Sequence, residues 1–309
     1  MMHQIEYALY TTLRLLVRHM SYRTAGRLGC FLGTLVYGLG FRKRVTMDNL
    51  AHAFPEKSLL ELRRIAHGAY CNYGVALLEL LWTSGQSREA VADTLHLRNP
   101  EVFLNAMARN RGLIFLAAHL GSWELLAIGV GIRINTPVAV IVQTQSNKMV
   151  NAAIDADRRR FGNTTIPMGP SVRDIVTVLR GGGVVAMLGD QSAAKEAARV
   201  VFFGRPCATH RGAAAFALRL DASLVVAFMF RNADSTYDVE FAEVDCSGLK
   251  GTEEERIDQL TRRHTAMLEA AVRRRPDHWL WMHKRWKHTD YLVSLAANHS
   301  PVPSAEHDG

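Results

Sequence analysis

The sequence has little of what holds a small secreted scaffold together. Four cysteines, at 30, 71, 207 and 246, are spread over 309 residues, and their spacing matches no disulfide framework. Unpaired thiols suit a reducing compartment. No apolar run reaches the roughly 20 residues of a transmembrane helix, which excludes a polytopic membrane protein. Internal repeats are absent, as are zinc-ligand, helix-turn-helix and RNA-binding signatures. A hydrophobic fraction of 48% excludes a disordered chain. What the chain does have is positive charge: 37 Lys and Arg against 29 Asp and Glu, a net +8. That balance calls for an anionic partner such as a membrane surface, nucleic acid or a phosphorylated substrate. The basic clusters are scattered and the N-terminus is apolar, which weighs against nucleic acid.

Two apolar stretches open the chain. Ile5 to Val17 is broken by Glu6 and Arg14, and Leu28 to Phe41 is uncharged but only 14 residues long. As a helix the second covers roughly 21 Å, short of a hydrocarbon core about 30 Å thick. Arg42, Lys43 and Arg44 follow it, on the wrong side for a signal peptide. Residues 1–45 therefore read as helices lying on or dipping into a membrane; two ordinary helices packed on a core are the alternative. Ser58 and Glu61 then form a capping-box pattern. Apolar residues at helical spacing from Leu62 to Leu80 mark a core-facing helix, slightly weakened by Gly74.

From residue 111 the pattern alternates. Strands are expected at 113–118, 138–142, 184–188, 223–230 and 237–244. Helices are expected at 123–133, 147–161, 171–180, 211–220 and 253–274. The implied fold is α/β, a mixed, partly parallel sheet flanked by helices. The domains are 1–45, membrane-associated helices; 46–295, the α/β domain; and 296–309, a polar, frayed tail with Pro301 and Pro303. Gly181 to Gly183 follow a helix and precede a strand, the reverse of a dinucleotide loop, and read as a helix stop.

A histidine followed five residues later by Glu occurs three times, and about one such pair arises by chance with 13 His and 29 acidic residues. His264 and Glu269 lie on one helix, five residues apart and so on different faces. His96 and Glu101 are interrupted by Asn99-Pro100 and read as a surface loop. His119 and Glu124 differ. His119 emerges at the carboxyl end of an apolar strand, Gly121 permits a tight turn, and Glu124 falls in the first turn of the next helix. Ligand crevices of open α/β sheets lie at that end of the strands. A carboxylate there would fix the imidazole's tautomer and stabilise its protonated form, making His119 a candidate general base. A structural histidine at a strand end is the competing reading.

The residues around this point carry a resemblance. The stretch from Ala117 to Glu124 is similar to the H-x-x-x-x-(D/E) motif of membrane glycerolipid and lipid A acyltransferases. Gly189-Asp190-Gln191, the segment Val201 to Thr209, the tail Trp281 to Lys287 and the early segment Arg44 to Pro55 resemble the late acyltransferases of lipid A biosynthesis. That lauroyl/myristoyl transferase family also includes the acyltransferases of mycobacterial phosphatidylinositol mannosides. With 189–191 and 201–209 taken as one, these four motifs occur in the family's order over roughly residues 25–290.

The resemblance implies a glycerolipid acyltransferase-like fold and transfer of a fatty acyl chain from acyl carrier protein or acyl-CoA to a hydroxyl of an anionic membrane glycolipid. It implies no metal and no cofactor, the thioester being a substrate, and a place on the cytoplasmic face of the inner membrane, monotopic or with a single N-terminal anchor. By matching position His119 would be the base and Glu124 its partner. Arg158 and Asp190 would shape the acceptor site with Gln191, the guanidinium binding phosphate or the thioester side. Phe203, Gly204 and Arg205 would line the acyl channel or form a packed turn. Trp279, Trp281 and Trp286, interleaved with basic residues, suit a lipid–water interface or a core. The stretch 191–196 departs from the family pattern and leaves the acceptor open between a lipid A precursor, a phosphatidylinositol mannoside and another lysolipid. A non-catalytic lipid-binding relative is the remaining alternative.

Overall fold

The computed structural model describes residues 2–169, 171–194 and 197–292. The expected tail at 296–309, and Lys195 and Glu196 of the divergent stretch, lie outside the described residues. In chain order the elements are α1 (Met2–Val17), α2 (Tyr22–Gly38), α3 (Lys43–Ala53), α4 (Leu59–Thr83), α5 (Arg88–Ala92), β1 (Leu95–Leu97), α6 (Pro100–Ala108), β2 (Leu113–Ala117), α7 (Trp123–Arg133), β3 (Val138–Val142) and α8 (Lys148–Arg159). They continue with β4 (Thr164–Pro167), α9 (Val172–Arg180), β5 (Val184–Leu188), β6 (Ala198–Phe202), β7 (Arg205–Thr209), α10 (Gly212–Leu220), β8 (Ser223–Arg231), β9 (Tyr237–Glu243) and α11 (Glu253–Arg274).

A seven-stranded sheet runs in the order β1-β9-β8-β2-β5-β3-β4. Neighbours are parallel except β8 and β9, which pair antiparallel, so the fold is α/β with a mixed, mostly parallel sheet. The central strands are continuous apolar runs because both faces are covered. Leu113 and Phe115 of β2 point into one core with α7, while Ile114 and Leu116 point into the other with α10 and α11. Capping boxes start α4 at Ser58/Glu61 and α11 at Thr252/Glu255, each satisfying backbone N–H groups that a first turn leaves without partners.

Several expectations are corrected. His96 stands in β1 and Glu101 in the first turn of α6, where a loop was expected; a three-residue edge strand carries too little periodicity to be seen. The sequence gives no sign of β4 or of the β6–β7 hairpin. Trp279 and Trp281 are buried in the core, and Trp286 is nearly so, which removes them from any lipid–water interface.

The N-terminal helices pack onto the α/β body. Among the described residues no helix is long and apolar enough to cross a membrane, so a single N-terminal spanning anchor finds no support. Helix α2 lies against α4 through Gly29, Gly33 and Gly74, where an added Cβ would collide with the facing backbone. Gly74, a weakness in α4 by propensity, is thus required by the contact. This approach sets Cys30 against Cys71 as a disulfide, their Cα atoms 3.9 Å apart. The expectation of four free thiols holds for Cys207 and Cys246 and is corrected for this pair, whose separation of 41 residues hid the contact.

Candidate active site

β2 and β5 are adjacent and parallel, and their last residues, Ala117 and Leu188, are register partners. The chain leaves each strand in the same direction, so the two following turns face each other at the carboxyl rim of the sheet. One turn carries His119 and the other Asp190. Gly121 closes the first turn with φ +68°, and a Cβ there would come 2.5 Å from the Met229 carbonyl oxygen, so only glycine fits. Ser122 then leads into α7.

The imidazole Nδ1 of His119 donates to Asp190 Oδ1 at 2.8 Å, and the His119 backbone N–H donates to Oδ2 at 2.9 Å. The Trp279 indole N–H also donates to Oδ2, at 2.9 Å. Burial alone would raise the Asp190 pKa, but His119 and these donors outweigh it and hold the carboxyl at about 2. Burial likewise opposes the His119 imidazolium, yet the Asp190 carboxylate overcomes it and raises the histidine above its ordinary 6.5. An ionised Asp190 fixes the Nδ1–H tautomer and leaves the Nε2 lone pair as the acceptor. Nε2 lies 3.3 Å from the Gln191 side-chain nitrogen, and the Trp123 ring sits 4.9 Å from the imidazole, centroid to centroid.

Glu124 does not hold His119. Its two oxygens accept from Arg158 Nε at 2.9 Å and Nη2 at 2.5 Å, a fork-to-fork pair joining α7 to α8. The carboxylate expected on the imidazole is therefore supplied by Asp190, seventy-one residues away in sequence. Glu124 does stand in the first turn after His119, but α7 directs it toward α8. Of the arginine triplet only Arg158 faces the site; Arg159 pairs with Asp155, and Arg160 donates to the Thr83 and Ser84 carbonyl groups. Arg14 of α1 binds Asp157, and Asn147, which caps α8, also reaches the His3 carbonyl, so α1 holds the helix that presents Arg158.

His119, Glu124, Arg158 and Gln191 line one cavity of about 540 Å³. Its remaining wall is mostly apolar: Tyr73, Trp123, Leu126, Val140, Ile141, Ile175, Met187 and Phe216 among others. Phe203, Gly204 and Arg205 do not reach it. Phe203 (φ +51°) and Gly204 (φ +72°) make the tight turn between β6 and β7. That turn rolls Phe203 into an aromatic cluster with Phe54 and Trp281 and leaves Arg205 exposed. The three residues form a packed turn outside the wall of this cavity.

A family model described as bacterial lipid A biosynthesis acyltransferase matches residues 1–288. The chain belongs to this acyltransferase family. It is 24% identical over 267 residues to the lipid A biosynthesis palmitoleoyltransferase of Escherichia coli K12 and, equally, to a lipid A biosynthesis acyltransferase of Shigella flexneri, covering 84% of both chains in each case. It is 24% identical over 280 residues to the lipid A biosynthesis lauroyltransferase of Escherichia coli K12, covering 88% of both chains. The protein is an acyltransferase of lipid A biosynthesis type.

Within this acyltransferase, sequence reasoning missed three features of the site. Trp279, open from the sequence between a lipid–water interface and the core, is a core residue whose indole binds Asp190. Tyr73 read as core of α4, but it lines the cavity and stacks with Trp123 at 6.0 Å. The pairing of His119 with Asp190 did leave a signal: each stands two residues past the end of a buried strand.

Proposed function

We propose that this acyltransferase moves a fatty acyl chain from a thioester, of acyl carrier protein or CoA, to a hydroxyl of a lipid A precursor at the cytoplasmic face of the inner membrane. The observation that carries the reading is a histidine whose Nδ1 is held by a buried carboxylate while its Nε2 faces a largely apolar cavity. Nε2 takes the acceptor hydroxyl proton as the oxygen adds to the thioester carbon. The tetrahedral intermediate collapses, the C–S bond breaks, and the leaving thiolate takes the proton from His119. Asp190 stabilises the imidazolium between these steps. The apolar wall accommodates the acyl chain. Arg158, held by Glu124 through Nε and Nη2, lines the cavity with its Nη1 edge turned from that pair, suited to donate to an acceptor phosphate or the polarised thioester carbonyl. Gln191 contacts the base and adjusts when the hydroxyl arrives.

The first helices fit a surface-lying role. Ile5, Leu9 and Leu16 of α1 and Phe31 and Leu35 of α2 are exposed, as are Leu39 and Phe41 just beyond, next to Arg42, Lys43 and Arg44. Apolar side chains in the acyl boundary and basic ones at anionic headgroups would bind a leaflet without crossing it.

The test is transfer of labelled acyl groups by the detergent-purified protein. Acyl carrier protein and CoA thioesters are offered against a lipid A precursor, a mannolipid and a lysolipid, with His119→Ala as comparison. Transfer to the lipid A precursor, lost in the variant, is expected. Transfer only to a mannolipid or lysolipid would replace the acceptor. No transfer from either donor to any acceptor would leave a lipid-binding relative.

A further inference from the structure

The segment 278–287, which includes the carboxyl-terminal motif Trp281 to Lys287, is not accounted for by the chemistry above. Its backbone and side chains touch both halves of the His119–Asp190 pair. On the histidine side, Gly121 N–H donates to the His278 carbonyl at 3.0 Å and Leu280 N–H donates to the His119 carbonyl at 3.1 Å. On the aspartate side, Trp279 Nε1 donates to Asp190 Oδ2, and Ser192 N–H donates to His283 Nε2 at 3.0 Å. Arg285, fully buried, donates to the Ala208 carbonyl and to Thr209, which bridges back to Ser192. The segment is itself fixed by Asn49, whose amide donates to the Trp281 and His283 carbonyls, both at 2.8 Å.

We infer that residues 278–285 are a clamp that sets the geometry of His119 against Asp190, and that the Trp279 indole is a positioning residue acting through Asp190. Of the three hydrogen bonds that Asp190 accepts among the described residues, two come from His119 itself. Trp279 supplies the one that does not move with the histidine. It holds the carboxylate in register while the imidazole gains and loses its proton. The indole also has an electrostatic effect. It stabilises the resting pair, which carries a net negative charge, more than the ion pair formed when His119 is protonated. Its loss therefore raises the proton affinity of His119. Among the described residues, the other charged or titratable groups around the pair are Glu124 of α7, already bound to Arg158 of α8, His283 and Arg285 of the clamp, and Tyr73 and His210 on the wall of the same cavity.

This inference rests on His119 and Asp190 being the reacting pair, which His119→Ala and Asp190→Asn test directly. Retained transfer in either variant would overturn that reading and the clamp with it. With the pair established, Trp279→Phe is compared with Trp281→Phe. Trp281 is equally buried and packs edge-on against Trp279 at 4.6 Å, so it shares the packing, but its indole N–H donates to the Pro276 carbonyl and not to Asp190. Trp279→Phe is expected to lower kcat by about 10- to 100-fold with KM little changed, and to move the acidic limb of kcat/KM up by about half to one pH unit. Trp281→Phe is expected to lose a comparable amount of thermal stability while its acidic limb stays in place. An unmoved limb in Trp279→Phe, or equal movement in both variants, overturns the clamp and leaves the reacting pair standing. Should Trp279→Phe fail to fold, the wild-type enzyme labelled with 15N-tryptophan replaces it. The Trp279 indole resonance is expected to titrate with the midpoint of the acidic limb, and a resonance flat across that midpoint overturns the inference.

Discussion

His119 and Asp190 each stand two residues beyond a register pair, Ala117 on β2 and Leu188 on β5. Parallel neighbours leave the sheet at the same height and in the same direction, so equal offsets bring equal positions together. The base and its carboxylate are thus a product of strand register, and a one-residue slip of either turn would separate them.

Asp190→Asn tests the pairing. The amide no longer demands an Nδ1–H donor, so the imidazole loses its fixed tautomer and the ion pair loses its anion. Transfer is expected to fall by roughly 10³–10⁴-fold with the fold retained, the scale set by loss of the orienting acid in a hydrolytic triad. Single-turnover transfer and circular dichroism check it; a loss under tenfold would remove Asp190 from the mechanism.

The pH profile follows from the raised His119 pKa. The histidine acts as a base only when neutral, so kcat/KM should fall as pH drops through a value above the ordinary 6.5. Asp190→Asn should move that limb downward. The depressed Asp190 pKa has the opposite sign for stability: its contribution is complete above the unfolded carboxyl value of about 3.9 and is lost as pH falls toward about 2. Denaturation midpoints between pH 5 and 2 should therefore fall more steeply for wild type than for Asp190→Asn.

Glu124 and Arg158 form a partly buried pair, their side chains 17% and 13% exposed. Removing one partner leaves the other charge poorly solvated. Glu124→Ala is expected to cost about 2 kcal/mol, less than a fully buried pair because both groups keep some water. Glu124→Ala/Arg158→Ala should recover part of that stability but not activity, if the guanidinium meets substrate. A denaturation double-mutant cycle reads the first outcome and initial rates the second. The acidic limb should move down in Glu124→Gln by less than in Asp190→Asn, since Asp190 is the larger and Glu124 the smaller contributor to the raised His119 pKa.

Cavity depth offers a handle on acyl length. Phe115, Ala186 and Val140 form one register row across β2, β5 and β3, and all three line the cavity. Ala186→Leu should shift donor preference toward shorter chains, at an overpacking cost of about 1–3 kcal/mol. Competition between lauroyl, myristoyl and palmitoyl donors measures it; an unchanged ratio would mean the chain does not reach this row.

The exposed apolar face of α2 predicts surface binding. Phe31→Gln/Leu35→Gln should weaken binding to vesicles containing anionic lipid by at least tenfold, since each side chain contributes about 1.5–3 kcal/mol on full burial. Unchanged cosedimentation would place the membrane contact elsewhere.

Local pattern determined much of this protein from the sequence alone. The strands at 138–142 and 184–188 and the helices at 123–133 and 253–274 occupy the stretches that periodicity and stop signals marked, because buried parallel strands and amphipathic helices write their burial into the order of residues. His119 at a strand end and Asp190 after another were legible for the same reason. Tertiary structure decided which carboxylate serves the histidine: Glu124 was nearer along the chain, but α7 turns it to Arg158, and the strand order brings Asp190 instead. It also decided that Phe203 and the tryptophans at 279 and 281 are buried, that Cys30 meets Cys71 through three glycines, and that one indole reaches Asp190. Such contacts join positions tens of residues apart. They depend on strand order, helix crossing and the direction of single side chains, none of which is encoded in the neighbours along the chain.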